Sequence, residues 1–274
     1  MSPIIEPAEL LKLDPLDYLL FDASAGAKVR YAEKHLAGAQ YVDLDEDLAA
    51  VRPNAAEGGR HPLPDPVQFG KLLGKLGIDQ SAHVIVYDDK QNSNAAARFW
   101  WMLRAAGHQK VQVINGGFDA AVSAGFPVNS TIVIKPAADD YQITQWNLPL
   151  ADMDEVEKAS KTGNQTIIDV RSKERFDGIN EPIDTVAGHI PGAINVPFTS
   201  NLDKNGAFLT PGNLKKQFKG LSEHDHQSTI VHCGSGVTAC HLLLAMDHAG
   251  LPLPKLYVGS WSEWSRNGKE MVTL

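Results

Sequence analysis

The sequence holds only two cysteines in 274 residues, no cluster of Lys and Arg, and no long apolar run. Cys233 and Cys240 stand seven apart, which fits neither a Cys-x-x-Cys redox pair nor a zinc ligand set, and a disulfide framework is excluded. Each is therefore a packing thiol or a reactive nucleophile. The 25 basic and 33 acidic residues give a net charge of −8. With no basic stripe to follow a phosphate backbone, this argues against a nucleic-acid partner. No stretch approaches the roughly 18 apolar residues of a membrane span, and the run from Tyr18 to Phe21 is only strand length. No membrane association is expected. The first ten residues carry two Glu and no basic residue, unlike a secretory or transit leader, so a cytoplasmic protein is expected.

The 43% hydrophobic and 21% charged residues describe a globular protein. At roughly 100 to 200 residues per domain, the length allows one large domain or two of about 130. An internal repeat decides for two. LLFDAS (19–24) returns as TIIDVRS (166–172), and HLAGAQYVDLD (35–45) as HIPGAINVPF (189–198). HVIVYDD (83–89) returns as STIVHCG (228–234), AAG (105–107) as HAG (248–250), and VINGGF (113–118) as LYVGSW (256–261). Five segments keep their order, and their separations vary as loop insertions would make them vary. The predicted domains are residues 1–140 and 141–274. Residues 131–147 lack helical periodicity and fit a strand or extended linker. A short helix at residues 153–161 then mirrors one at residues 7–13.

In each copy, short β-branched or apolar runs alternate with helical patterns. TIIDV, STIVHC and KLYVG are predicted as buried parallel strands, and residues 237–248 as a helix with Gly250 at its C-terminal cap. The fold class is α/β: two tandem copies, each a parallel sheet with helices on both faces. Ligands bind such sheets beyond the carboxyl ends of the strands, and Cys233 stands at such an end.

Residues 233–238, Cys-Gly-Ser-Gly-Val-Thr, join that strand to the helix. The glycines let successive N–H groups turn towards one point, and the helix adds the positive end of its dipole. Both effects favour negative charge on a sulfur held there. The first copy has Asp88 at the matching position, which cannot act as a sulfur nucleophile. The first copy is thus expected to be inactive, contributing a wall beside the site, with Arg98, Trp100 and Trp101 as possible lining residues. Cysteine phosphatases use loops of similar shape but place an Arg six residues after the Cys. Position 239 is Ala, and no basic residue occurs from 233 to 240.

The duplicated layout, CGSGVT, GHIPGAINVPF (188–198) and GSWSEW (259–264) resemble the two-domain rhodanese superfamily, in particular its 3-mercaptopyruvate sulfurtransferases. The similarity spans nearly the whole chain. It implies a transferase in which Cys233 takes sulfane sulfur from 3-mercaptopyruvate as a persulfide and releases pyruvate. A thiol acceptor such as thioredoxin, or cyanide, then discharges the sulfur, with no metal or organic cofactor. Thiosulfate sulfurtransferase activity and a non-catalytic persulfide carrier stand as alternatives. The thiosulfate-using relatives carry basic residues in the loop where Gly234 and Ser235 stand here. A small dianion calls for such cations, whereas one carboxylate can be held farther away.

By the same resemblance, Ser235 assists as a catalytic residue, and the backbone of Gly234, Gly236, Val237 and Thr238 binds the transferred sulfur. Arg175, in DVRSKERFDG (169–178), binds the donor carboxylate through its planar fork. A second carboxylate-binding Arg is expected just after the Glu-Pro of NEPID, where Ile183 and Asp184 stand instead. Either another basic group substitutes or the donor differs. Arg171 suits a structural ion pair. His35 is a possible helper, although its recurrence as His189 suits a structural role in both copies. His232 and Cys240 are predicted to be structural.

Overall fold

The structure, a computed structural model, describes residues 1–91, 95–139, 141–222 and 228–274. Its contacts divide the chain into two units. The first comprises Met1–Ala50, Pro64–Asn147 and Lys204–Phe208, and the second Val51–Leu63, Leu148–Asp203 and Leu209–Leu274. The repeat did not anticipate that residues 51–63, from the first half of the sequence, belong to the second unit.

In the first unit, β1 (Ile4–Ile5), β2 (Leu19–Asp22), β4 (Ala39–Tyr41), β5 (Val84–Tyr87) and β6 (Val111–Ile114) form a parallel sheet in the order β1-β6-β5-β2-β4. β3 (His35–Leu36) pairs antiparallel with β7 (Val128–Asn129) beside it. In the second unit, β8 (Leu150–Ala151), β9 (Thr166–Asp169), β10 (Ile194–Asn195), β11 (Thr229–His232) and β12 (Lys255–Tyr257) repeat that order as β8-β12-β11-β9-β10, again parallel. Strands of one direction need crossovers long enough to carry helices, and both sheets are flanked by them. The α/β class and the tandem arrangement are as expected.

The two copies agree in register. Asp22 lies opposite Tyr87, and Asp169 opposite His232. One residue beyond the central strands stand Asp88 and Cys233; the N–H groups of Phe118 and Trp261 donate to their carbonyls at 2.9 and 3.0 Å. His35 stacks on Tyr31 and His189 on Phe176, at centroid separations of 4.0 and 3.7 Å. Recurrence of the His-x-x-Gly-Ala motif therefore reflects one packing device used twice.

Helix Ala239–His248 follows Cys233, with every residue from Ala239 to Met246 buried. It begins two residues later than predicted because the N–H groups of Cys240 and His241 close tight turns onto Val237 and Thr238. Gly250, at φ 68°, ends it: its N–H reaches the Asp247 carbonyl, and that of Leu251 reaches Met246. This double bond with a left-handed glycine satisfies the last carbonyls of the helix. Residues 131–139 and 141–147 contain no helix or strand, as the lack of periodicity suggested. Tyr141 bonds Gly70 and Ala138 bonds Gly74, which ties this stretch to the first unit. Arg98, Trp100 and Trp101 are fully buried. Arg98 reaches the Leu48 carbonyl and Trp101 packs on Trp146, both within the first unit.

A carboxylate closes the end of the strand next to the centre in each sheet. Asp22 receives Arg30 at 2.7 and 3.0 Å, and Asp169 receives Arg171 Nε and Nη2 at 2.6 to 3.1 Å. Burial opposes charge on Asp169, but the bound Arg171 guanidinium outweighs it and holds its carboxyl below the ordinary range. Such a group contributes stability above its unfolded-state pKa and loses it as pH falls through the folded one. Asp169→Asn strands a buried guanidinium and should cost about 3–5 kcal/mol in urea unfolding at pH 7. The difference from wild type should shrink as pH falls below the ordinary carboxylate range.

Candidate active site

Cys233 is 2% exposed. The turn that carries it is held from behind by residues 258–262. Its N–H donates to Ser260 Oγ at 3.2 Å, and Ser260 Oγ donates to the Tyr257 carbonyl at 2.8 Å. Ser262 N–H donates to the Gly234 carbonyl at 2.9 Å. Gly236 has φ 73°, and a Cβ there would lie 2.6 Å from the Val258 carbonyl, so both conformation and space demand glycine. The Cys240 thiol donates to the Gly236 carbonyl at 3.4 Å, which gives the second cysteine a structural task. Ser260 has φ 55°, a left-handed conformation uncommon outside glycine, where the first copy has Gly117 at φ 66°. The second copy thus keeps a left-handed serine whose hydroxyl accepts from the Cys233 N–H.

Residues 51–63 supply what the loop lacks. Gly58 N–H donates to Glu263 Oε1 at 2.9 Å, Arg60 N–H to Ser262 Oγ at 3.0 Å, and Asn267 Nδ2 to the Ala56 carbonyl at 2.9 Å. Gly59, at φ 83°, lies so close to Gly259 that a Cβ would sit 2.4 Å from its carbonyl oxygen. This strap places Arg60 Nη2 within 3.0 Å, and Arg175 Nη2 within 3.4 Å, of the position a Gly234 Cβ would occupy. It also brings His61 Nδ1 to 2.7 Å from Ser235 Oγ. The loop carries no cation of its own, but two guanidiniums border it.

Buried carboxylates hold those guanidiniums. Asp184 Oδ1 receives Arg60 Nη1, and Arg266 Nη1 at 3.0 Å, while Oδ2 receives Arg175 Nη2 at 3.3 Å. Glu181 receives Arg175 Nε and Nη2 at 2.8 to 3.1 Å and Arg171 Nη1 at 3.2 Å. It also caps the N–H groups of Ile183 and Asp184. Arg171 is committed to Asp169, Glu181 and the Gly188 carbonyl, the structural ion pair expected of it. Burial pushes the His232 imidazole down, against the pull of Asp169 3.8 Å away, and its Nδ1 faces the Cys233 carbonyl at 3.1 Å. A neutral, buried His232 fits its expected structural role.

Two segments of the chain, residues 6–124 and 152–267, match the rhodanese-like domain. The chain belongs to the rhodanese-like family. It is 42% identical over 268 residues to a probable 3-mercaptopyruvate sulfurtransferase of Pseudomonas aeruginosa, spanning 96% of this chain and 92% of that protein. With the thiosulfate sulfurtransferase of Rattus norvegicus it shares 35% identity over 244 residues, 88% of this chain and 80% of the relative. Among solved structures, the 3-mercaptopyruvate sulfurtransferase of Leishmania major superposes with a TM-score of 0.83 at 31% identity, covering 96% of this chain and 74% of that one. The SseA protein of Escherichia coli, described as a 3-mercaptopyruvate sulfotransferase, gives 0.78 at 31% identity, covering 96% and 100%.

In this rhodanese-like chain, Cys233, Gly234, Ser235, Gly236, Val237 and Thr238 share one turn, with Arg175 beside it. His35 lies in β3 of the first unit, stacked on Tyr31, with its ring nitrogens facing the carbonyls of Tyr31 and Thr131. A ring committed on both sides is a brace, and the helper role is not carried further. In the first-copy loop, Asp88 receives the N–H groups of Lys90 and Ala96. Arg60, His61 and Glu181 escaped the sequence reading. The available signal was Gly58-Gly59 before Arg60-His61, in a stretch with no counterpart in the second half. Gly236→Ala should destabilise the chain by about 1–3 kcal/mol more than Gly250→Ala. Both sites have positive φ, but a Gly250 Cβ would meet nothing within 4 Å. Equal losses in urea unfolding would mean that the approach to Val258 costs nothing.

Proposed function

We propose that this protein is a 3-mercaptopyruvate sulfurtransferase with Cys233 as its nucleophile. The observation that carries this reading is the pair of guanidiniums, Arg60 and Arg175, bordering Gly234 next to the thiol. They hold the donor carboxylate and aim its sulfur at Cys233. Arg60 takes the part of the second arginine that is missing beyond Glu181-Pro182.

The Cys233 thiolate attacks the donor sulfur, forming an S–S bond, and the C–S bond breaks with its electron pair passing to carbon. The enolate so formed takes a proton and leaves as pyruvate. The Ser235 hydroxyl, joined to His61 Nδ1, supplies a path for that proton. The persulfide stays on Cys233, where the turn of Gly234, Ser235, Gly236, Val237 and Thr238 and the start of helix Ala239–His248 face it with their peptide dipoles. A thiolate acceptor attacks the outer sulfur, takes it as a new persulfide, and returns Cys233 as thiolate. A small dithiol protein such as thioredoxin suits this step, as does cyanide in vitro. We assign the protein to the cytoplasm, whose reduced thiols provide acceptors. No helix among the described residues is long and apolar enough to cross a membrane.

Incubation with 3-mercaptopyruvate followed by intact-mass measurement should show one added sulfur on the wild type and none on Cys233→Ser. Sulfur loading of the variant overturns the assignment. Arg60→Ala and Arg175→Ala should each raise the donor KM by about 10- to 100-fold, the worth of a charge-assisted hydrogen bond. His61→Ala should act mainly on kcat, lowering it by about 100-fold. Steady-state kinetics with cyanide as acceptor separates the two effects.

A further inference from the structure

Asp184, with Ile183, occupies the region where the resemblance calls for a cation, and it is not idle there. Its side chain is fully buried, and its two oxygens are divided between the two arginines that border the nucleophile loop, Oδ1 to Arg60 and Oδ2 to Arg175. Arg266 adds a third guanidinium on Oδ1. The connected cluster holds Arg60, Arg171, Arg175 and Arg266 against Asp169, Glu181 and Asp184, leaving one net positive charge. Glu263, a carboxylate that the strap also contacts, receives Gly58 N–H and Tyr257 OH and is not a partner in these ion pairs. The cluster's uncompensated charge thus matches one carboxylate and falls short of a dianion.

We propose that Asp184 determines donor charge: by bridging Arg60 and Arg175 it fixes their spacing and cancels one of their charges, so that the site takes monoanionic donors and disfavours dianions such as thiosulfate. This rests on the sulfur-transfer reading and adds to it a selectivity residue that does not itself touch the donor. A carboxylate placed directly behind both guanidiniums weakens their hold on every donor charge, and a dianion feels this twice. Asp184→Asn keeps the size of the side chain and one accepting oxygen, gives up the other acceptance to an amide N–H2, and raises the cluster's charge by one. The preference should then move towards the dianion by about tenfold.

The test compares kcat/KM for thiosulfate and for 3-mercaptopyruvate, with cyanide as acceptor, in the full-length wild type, Asp184→Asn and Glu157→Gln. Glu157 is a carboxylate paired with Lys161 and Lys269, neither of which belongs to the cluster, so its variant changes protein charge equally without touching the cluster. The ratio should rise about tenfold in Asp184→Asn, carried by the donor KM, and stay at the wild-type value in Glu157→Gln. An unchanged ratio in Asp184→Asn, or an equal rise in Glu157→Gln, overturns the proposal. Calorimetry on the wild type provides a measurement independent of the variant's folding: propanoate should bind more tightly than malonate, a dianion of the same carbon number. Malonate binding as tightly or more tightly overturns the proposal. A wild type that takes sulfur from neither donor overturns the sulfur-transfer reading alone, since the propanoate–malonate comparison, repeated in Asp184→Asn, still decides the role of Asp184.

Discussion

The ion pair between Arg60 and Asp184 holds a strap from the first half of the sequence beside the loop that carries Cys233. Much else in the site depends on it. Arg60 reaches Gly234 because its guanidinium is held by a carboxylate with no exposed side-chain surface, and His61, the next residue, is then placed on Ser235. Asp184 is oriented in turn by Glu181, which caps its N–H and links it to Arg171 and to the strand end at Asp169. Removing one partner from such a set leaves a buried charge uncompensated, which typically costs several kcal/mol. Rigidity of this kind lets two flexible arginine side chains act as fixed walls.

The duplicated fold shows how little differs between the copy whose central strand leads into Cys233 and the copy whose central strand leads into Asp88. Both central strands end one residue before the decisive position, and both decisive carbonyls are held by an aromatic residue's N–H. The differences are local: Asp88 against Cys233, and Gly117 against a strained Ser260. At Asp88 the carboxylate caps the N–H groups of its own loop, while at Cys233 the Ser260 hydroxyl occupies the amide. One copy satisfies its turn from within, and the other borrows a side chain from the next crossover.

The scaffold was legible because it is written in periodicity and repetition. Buried strands such as Ile230 and Val231, the glycine that ends helix Ala239–His248, and the doubled His-x-x-Gly-Ala segments each have a local physical cause that survives in one dimension. Cys233 and its loop were legible for the same reason, since glycine spacing around a thiol is a local signal. Arg60 and His61 were not. Their function comes from a strap whose destination is set by Gly59 meeting Gly259 across two hundred residues of sequence. Asp184 was visible only as a missing arginine, because its meaning lies in three partners that no spacing rule brings together.

The assignment of residues 51–63 to the second unit has a consequence for how this protein can be divided. A gene fragment beginning near residue 148 would inherit Cys233, its glycine turn and Arg175, yet leave behind the arginine and the histidine of the strap. The duplication is therefore no longer modular. The second unit is assembled from two separated stretches of sequence, so neither half of the chain contains the whole of it.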